Sequence, residues 1–286
     1  MIRRTYPRMH VRSKDKAFYY TPIEFRVKQL FSYPEDNKHE FERWFYDNTQ
    51  PEEITGRTYL PIFWTAYWTN NGYGQKEKSR NVLQRFVDSL PRDKKYFTIC
   101  QYDDGPIVDF KNLDIVVFGM SGGRIDYPIP LLCQPHGYKF DCKRDLFASF
   151  VGGDTHPIRR ELIKQFTGKP DCHVSFKKLS LKEYCNLMAR SVFALCPRGY
   201  GKSSFRIMEA IHYGAIPVYV SDDFVTPYNS PFNSFGIQVG HDYNLYDLLK
   251  DVRKDSIPLL QKGIEEARPL FTYEGCKRMI IAEVNT

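Results

Sequence analysis

Gly201-Lys202-Ser203 ends a phosphate-loop-like pattern inside the stretch LCPRGYGKSSFRIMEAIHYGAIPVYVSD, residues 195–222. The full pattern G-x-x-x-x-G-K-[ST] places its first glycine at position 196, where Cys196 stands. A side chain at that point crowds a tight phosphate loop, and no carboxylate at the end of an apolar strand supplies a second element of nucleotide hydrolysis. A nucleotide hydrolase or kinase is therefore the alternative reading. The same residues still build an anion site. The apolar strand 192–196 runs into a Pro-Arg-Gly-Tyr-Gly turn, and Ser203 or Ser204 caps a helix over 203–213 that Gly214 stops. The N-terminus of such a helix presents free N–H groups and the positive end of its dipole. Arg206 and Glu209 stand three residues apart on one face of that helix. A cation and a carboxylate so placed suit a nucleotide diphosphate and its ribose hydroxyls; an ion pair on a surface helix would use the same spacing.

These residues need a frame. Short β-branched runs predict strands at 59–67, 96–101, 114–119, 146–151, 172–176, 192–196 and 216–220. Helical patterns fall at 36–47, 75–89, 157–167, 180–190, 203–213, 243–253, 258–268 and 273–284. Alternation of near-continuous apolar strands with helices predicts parallel sheets covered on both faces. Residues 120–145, rich in Gly and Pro, break the rhythm and read as a link. The expected organisation is an N-terminal α/β domain over 1–140 and a C-terminal one over 141–286, with a cleft between them and the last helix crossing back.

Composition limits the partners. With 42% hydrophobic and 15% aromatic residues the 286-residue chain can bury a core, so disorder is excluded as its general state. The net charge of +7 includes a basic cluster at residues 1–16 and a pair at Arg159-Arg160. That diffuse excess suits a small anionic ligand, and equally weak binding to nucleic acid or an acidic membrane surface, or an ordinary solvated basic surface. The seven cysteines are odd in number and form no CxxC pair or zinc spacing, so they read as reduced thiols and no metal site is expected. His136, His156, His173, His212 and His241 have no metal spacing either and read as structural. No apolar segment follows the basic start and no window nears 18 apolar residues. The expectation is a soluble, cytoplasmic protein with no membrane span and no nucleic-acid partner.

The segment YCNLMARSVFALCPRGYGKSSFRIMEAIHYGAIPVYVSDDFVTPY resembles the most distinctive block of the exostosin family of glycosyltransferases, family 47. RDLFASFVGGDTHPIRREL resembles that family's strand, glycine and arginine-bearing helix start. RIDYPIPLL and FTICQYDDGP resemble two further segments, and the resemblance spans roughly residues 60–240. It implies a GT-B fold, two facing Rossmann-like domains with an interdomain cleft. It also implies inverting transfer from a UDP-sugar to a glycan hydroxyl without an essential metal or other cofactor. Short members of this kind resemble enzymes of large algal viruses, which points to UDP-xylose as donor and to host cytoplasm as location. A non-catalytic carbohydrate-binding protein with the same fold is the other alternative.

Such chemistry needs a base for the acceptor hydroxyl and positive groups for the departing diphosphate. For the diphosphate, the expected residues are Arg159, with Arg160 as its alternative, Arg206 and the helix start at Ser203 and Ser204. Glu209 is expected at the ribose, and Arg198, Gly199, Tyr200 and Gly201 along the donor turn. Asp103 matches the aspartate of the family's turn and is expected as the base; Asp104 beside it is the second choice and Asp126 the reserve. Tyr67, Trp68 and Tyr73 lie in an expected aromatic loop, 64–74, and read either as a platform for the acceptor sugar or as core packing or a lid.

Overall fold

The protein is described by a computed structural model covering residues 17–28, 30, 41–252 and 254–286. The basic cluster 1–16 and the start of the helix expected at 36–47 lie outside the described residues.

Two sheets organise the chain. The first holds β1 (Thr58–Tyr59), β2 (Lys95–Cys100), β3 (Asp114–Gly119) and β4 (Tyr127–Pro128), all parallel and in the order β1-β2-β3-β4. The second holds β5 (Leu146–Val151), β6 (Cys172–Ser175), β7 (Ser191–Pro197), β8 (Ile216–Val220) and β9 (Ile237–Val239). It too is parallel, in the order β6-β5-β7-β8-β9. β8 is buried along its whole length and β7 nearly so, which is why both read as continuous apolar runs rather than alternating ones. This is an α/β protein with two parallel, Rossmann-like sheets.

Three helices attend the first sheet: α1 (Phe41–Asn48), α2 (Trp64–Asn70) and α3 (Glu77–Asp88). Around the second lie α4 (Pro157–Phe166), α5 (Leu181–Arg190), α6 (Phe205–Tyr213), α7 (Leu245–Lys250) and α8 (Ser256–Ala267). The last, α9 (Tyr273–Val284), returns to the first sheet's helices. The Tyr273 ring lies 5.2 Å from Phe41 and 5.1 Å from Trp44. Beyond the helix, Asn285 accepts from Thr55 N at 2.7 Å and donates to Glu53 O at 2.8 Å. One hydrophobic core runs through both sheets, joining Phe97 and Phe118 to Phe150 and Phe193.

The strand expected at 59–67 is corrected. Only Thr58 and Tyr59 pair with β2, and Pro61, without an N–H, cannot extend the ladder. From Trp64 the chain is helical instead. The aromatic run is a helical face, with Trp64, Tyr67 and Trp68 at i, i+3 and i+4, buried in a second core with Leu83, Phe86 and Phe110. The cysteines are unbridged, and five of them, Cys100, Cys133, Cys185, Cys196 and Cys276, are buried. Burial pushes the Cys196 thiol up to about 12, so it stays neutral.

Among the described residues, no helix is long and apolar enough to cross a membrane.

Candidate active site

In an open parallel sheet, ligands bind beyond the carboxyl ends of the strands, where the strand order reverses. In the second sheet the chain passes from β5 outward to β6 and then back across to β7 on β5's other side, so the reversal lies between β5 and β7. The expected donor residues occupy that crevice. Gly152 and Gly153 follow β5, and Arg198 to Gly201 follow β7. Arg159, in the first turn of α4, is buried and donates to Gly153 O at 2.8 Å and Arg198 O at 2.9 Å, one carbonyl from each wall. A Cβ on Gly199 would lie 2.9 Å from its Nη2, so the glycine is what lets the turn close over the guanidinium. Arg160 points the other way, exposed and paired with Asp154.

α6 brings its positive end to the same crevice. Ser204 is the N-cap, its Oγ accepting from Arg206 N at 3.4 Å, and Gly214 ends the helix with φ 70°, a left-handed conformation that glycine adopts freely. Ser203 is buried beside the cap. Arg206 is buried, donates to Val151 O at 2.5 Å, and stands 4.7 Å from the Phe150 ring centroid. A Cβ on Gly152 would come within 2.7 Å of its Nη2.

Glu209, one turn on, accepts from Tyr184 Oη at 2.6 Å and lies 2.8 Å from His136 Nε2. Burial raises the energy of its carboxylate, but the His136 hydrogen bond, the Arg206 charge and the Tyr184 hydroxyl outweigh it and hold Glu209 below the ordinary carboxylate range. An ionised carboxylate only accepts, so His136 Nε2 carries the proton and its buried Nδ1 has no hydrogen-bond partner. Cys133 Sγ joins these two residues within 4.8 Å, a Cys, His and carboxylate group that could hold a metal ion. The His136–Glu209 hydrogen bond already occupies the line between two of those three groups. Sequence reasoning missed His136 and Tyr184 as partners of Glu209. His136 is 73 residues away in the link, a distance no spacing pattern reads.

The phosphate-loop alternative finds no cradle. Cys196 is a buried strand residue, Lys202 Nζ pairs with Asp223 at 2.6 Å, and Lys202 O accepts from Tyr219 Oη at 2.7 Å.

From the first sheet, the turn after β2 meets the turn after β7. Tyr200 Oη donates to Asp104 Oδ2 at 3.3 Å. A Cβ on Gly201 would sit 2.1 Å from Asp103 Oδ1 and 2.2 Å from Ser121 Oγ, so glycine is needed for this approach. Ser121, just beyond β3, donates to Asp103 Oδ1 at 3.2 Å. Burial, chiefly, raises the Asp103 carboxyl above its ordinary range; Asp104 adds to the rise, while Ser121 and Arg198 oppose it. Arg198 itself braces the turn, pairing with Asp222 at 2.5 Å and donating to Tyr200 O at 3.1 Å. The reserve candidate Asp126 is engaged elsewhere, accepting from Val117 N at 2.9 Å and pairing with Arg124.

The platform reading is corrected for Tyr67 and Trp68, which are core packing. Trp68 is fully buried, its Nε1 donating to Pro106 O at 3.0 Å, and Tyr67 is buried with its hydroxyl on Ser79 O at 2.9 Å. Both stabilise the core of the first sheet. Tyr73 is 58% exposed in the turn after α2. A cavity of ≈ 590 Å³ opens instead beside Asp104, between Arg80, Asn81 and Gln84 of α3 and Arg124 beyond β3.

Residues 116–243 match the Exostosin GT47 domain, a span that includes β5 to β9 and the crevice between β5 and β7. A rice protein (Oryza sativa subsp. japonica) named a probable glucuronosyltransferase is 33% identical over 230 residues, 63% of this chain and 53% of its own length. A probable glycosyltransferase of Arabidopsis thaliana is 33% identical over 99 residues, 34% of this chain and 19% of its own. The chain thus spans between a fifth and about half of these two relatives. A solved glycosyltransferase from Rickettsia africae covers 71% of this chain and 67% of its own at 14% identity, with a TM-score of 0.38. Residues 116–243 are thus similar to the Exostosin GT47 domain, and the named relatives are probable glycosyltransferases.

Proposed function

We propose that the protein transfers a sugar from a UDP-sugar to a glycan hydroxyl with inversion at the anomeric carbon. One observation carries the reading: the donor turn of the second sheet closes onto the Asp103 turn of the first, with room only for glycine at 201. Basic groups for a diphosphate and a carboxyl with a raised proton affinity thereby face one crevice. In this mechanism Asp103 takes the acceptor proton as the hydroxyl oxygen bonds to the anomeric carbon and the bond to UDP breaks on the opposite face. Arg206 and the amino end of α6 receive the charge that grows on the diphosphate. Arg159 holds the two crevice walls together. Glu209, oriented by His136 and Tyr184, accepts from the ribose hydroxyls. The acceptor enters through the cavity beside Asp104.

UDP-xylose is the donor that the family resemblance implies; the name of the rice relative makes UDP-glucuronate its competitor. Incubation of the protein with each UDP-sugar and a glycan acceptor tests the reading through UDP release. Side-chain cations and the N–H groups at the start of α6 serve the leaving group here, so saturating EDTA is expected to leave most of the rate. A complete loss that manganese restores would overturn the metal-free mechanism. Magnesium-dependent release of phosphate from ATP, with no UDP release from any donor, would restore the nucleotide-hydrolase alternative.

A further inference from the structure

A second cavity, of ≈ 550 Å³, opens at the opposite edge of the second sheet, beside the starts of its strands. Arg144 precedes β5 by two residues, and Gly214 precedes β8 by two. β7, whose far end carries the donor turn, has seven residues, so about 20 Å of strand separates the two edges.

The lining is cationic and aromatic. Lys139, Arg144, Lys262 and Arg268 face one carboxylate, Glu265, which Arg268 already binds at 2.7 Å. Arg144 donates to the carbonyls of Ala189, Ser191 and Tyr213 at 2.7–2.9 Å, so its charge is fixed in the wall by backbone. Lys139 is exposed, and Lys262 is 77% exposed with Glu266 a loose 3.8 Å away. Tyr138 and Phe140, in the same lining, stack at 6.3 Å and 24°, with Tyr138 39% exposed.

The geometry points to a binding site for an acidic oligosaccharide, a chain of sugars bearing spaced carboxylates, separate from the transfer crevice. Aromatic faces pack against the apolar faces of sugar rings. Lysines on flexible stems meet charges that recur along a chain, whereas a phosphate cluster calls for convergent N–H groups. Here the helix ends turned to the cavity are carboxyl ends, and Arg144 and Arg268 already take their carbonyls. The inference does not depend on the proposed reaction, since no residue of the donor crevice lines this cavity.

Calorimetric titration with a galacturonate hexamer tests it. The wild-type protein is expected to bind the hexamer, more weakly as salt rises, and to bind a neutral xylose hexamer much less. The exposed double variant Lys139→Glu/Lys262→Glu is expected to lose about 10-fold or more in affinity, two exposed charge contacts having become repulsions. Tyr138→Ala is expected to weaken binding while keeping the salt dependence, and UDP is expected not to displace the hexamer. Failure of the wild-type protein to bind it, unaltered affinity in the double variant, equal affinity for the neutral hexamer, or displacement by UDP would each overturn the assignment.

Discussion

Asp103→Asn is expected to lower sugar transfer by about 10²–10⁴-fold, the range for loss of a general base, while UDP affinity stays at the wild-type value. The substitution keeps the shape of the side chain and removes its proton acceptor. A base that acts only during attack contributes little to donor binding in the ground state, so kcat falls and UDP binding does not. The pH profile supplies a second readout. Burial raises the Asp103 carboxyl, and transfer needs it ionised, so the acid limb of the rate should lie above the ordinary carboxylate range of about 4 and rise with pH. The same shift has a defined sign for stability. The native state binds this proton more tightly than the unfolded chain, so the group's contribution favours folding at low pH. That contribution is lost as pH climbs from the ordinary to the raised value. Asp104→Asn, at a residue that accepts only the 3.3 Å bond from Tyr200 among the hydrogen bonds resolved, should do much less. The reverse pattern would move the base to Asp104, and near-normal turnover in both would remove this turn from the mechanism.

Gly201→Ala is expected to reduce turnover on the order of 10²-fold, the effect of displacing reacting groups by about 1 Å. Its Cβ would fall 2.1 Å from Asp103 Oδ1 and 2.2 Å from Ser121 Oγ, far inside contact distance. Both atoms end short side chains, so the strain passes to the two turns themselves. Either Asp103 swings away from the crevice or the donor turn lifts from it. Overpacking of this kind costs about 1–3 kcal/mol of stability, which thermal unfolding would register alongside the kinetics. Wild-type turnover and wild-type unfolding together would mean that the turns do not touch in solution.

The crevice between β5 and β7 was largely legible because its signals are local. A strand, a Pro-Arg-Gly-Tyr-Gly turn, a serine cap and a stopping glycine all lie between residues 192 and 214, and each is fixed by backbone chemistry. The acceptor side was not. The run from Tyr59 to Trp68 is apolar in either period, and only Pro61 hinted that the strand stops. Trp68 finds its hydrogen-bond partner 38 residues away, so its burial follows from tertiary packing that periodicity does not encode. Asp126 and Asp103 are both loop aspartates in the sequence. They differ because one accepts from the Val117 amide and pairs with Arg124, while the other lies under Gly201. Glu209 was read from its spacing to Arg206, but its hydrogen bonds to His136 and Tyr184 join the link and α5 to α6, contacts that exist only after folding.

Titration of UDP into wild-type protein and into a folded Arg206→Ala variant bears most directly on the placement of the nucleotide at the β5–β7 crevice. Removing a charge-assisted contact to the diphosphate is expected to weaken binding by about 1.5–3 kcal/mol, roughly 10- to 150-fold. UDP bound equally tightly by the variant and the wild-type protein would contradict that placement.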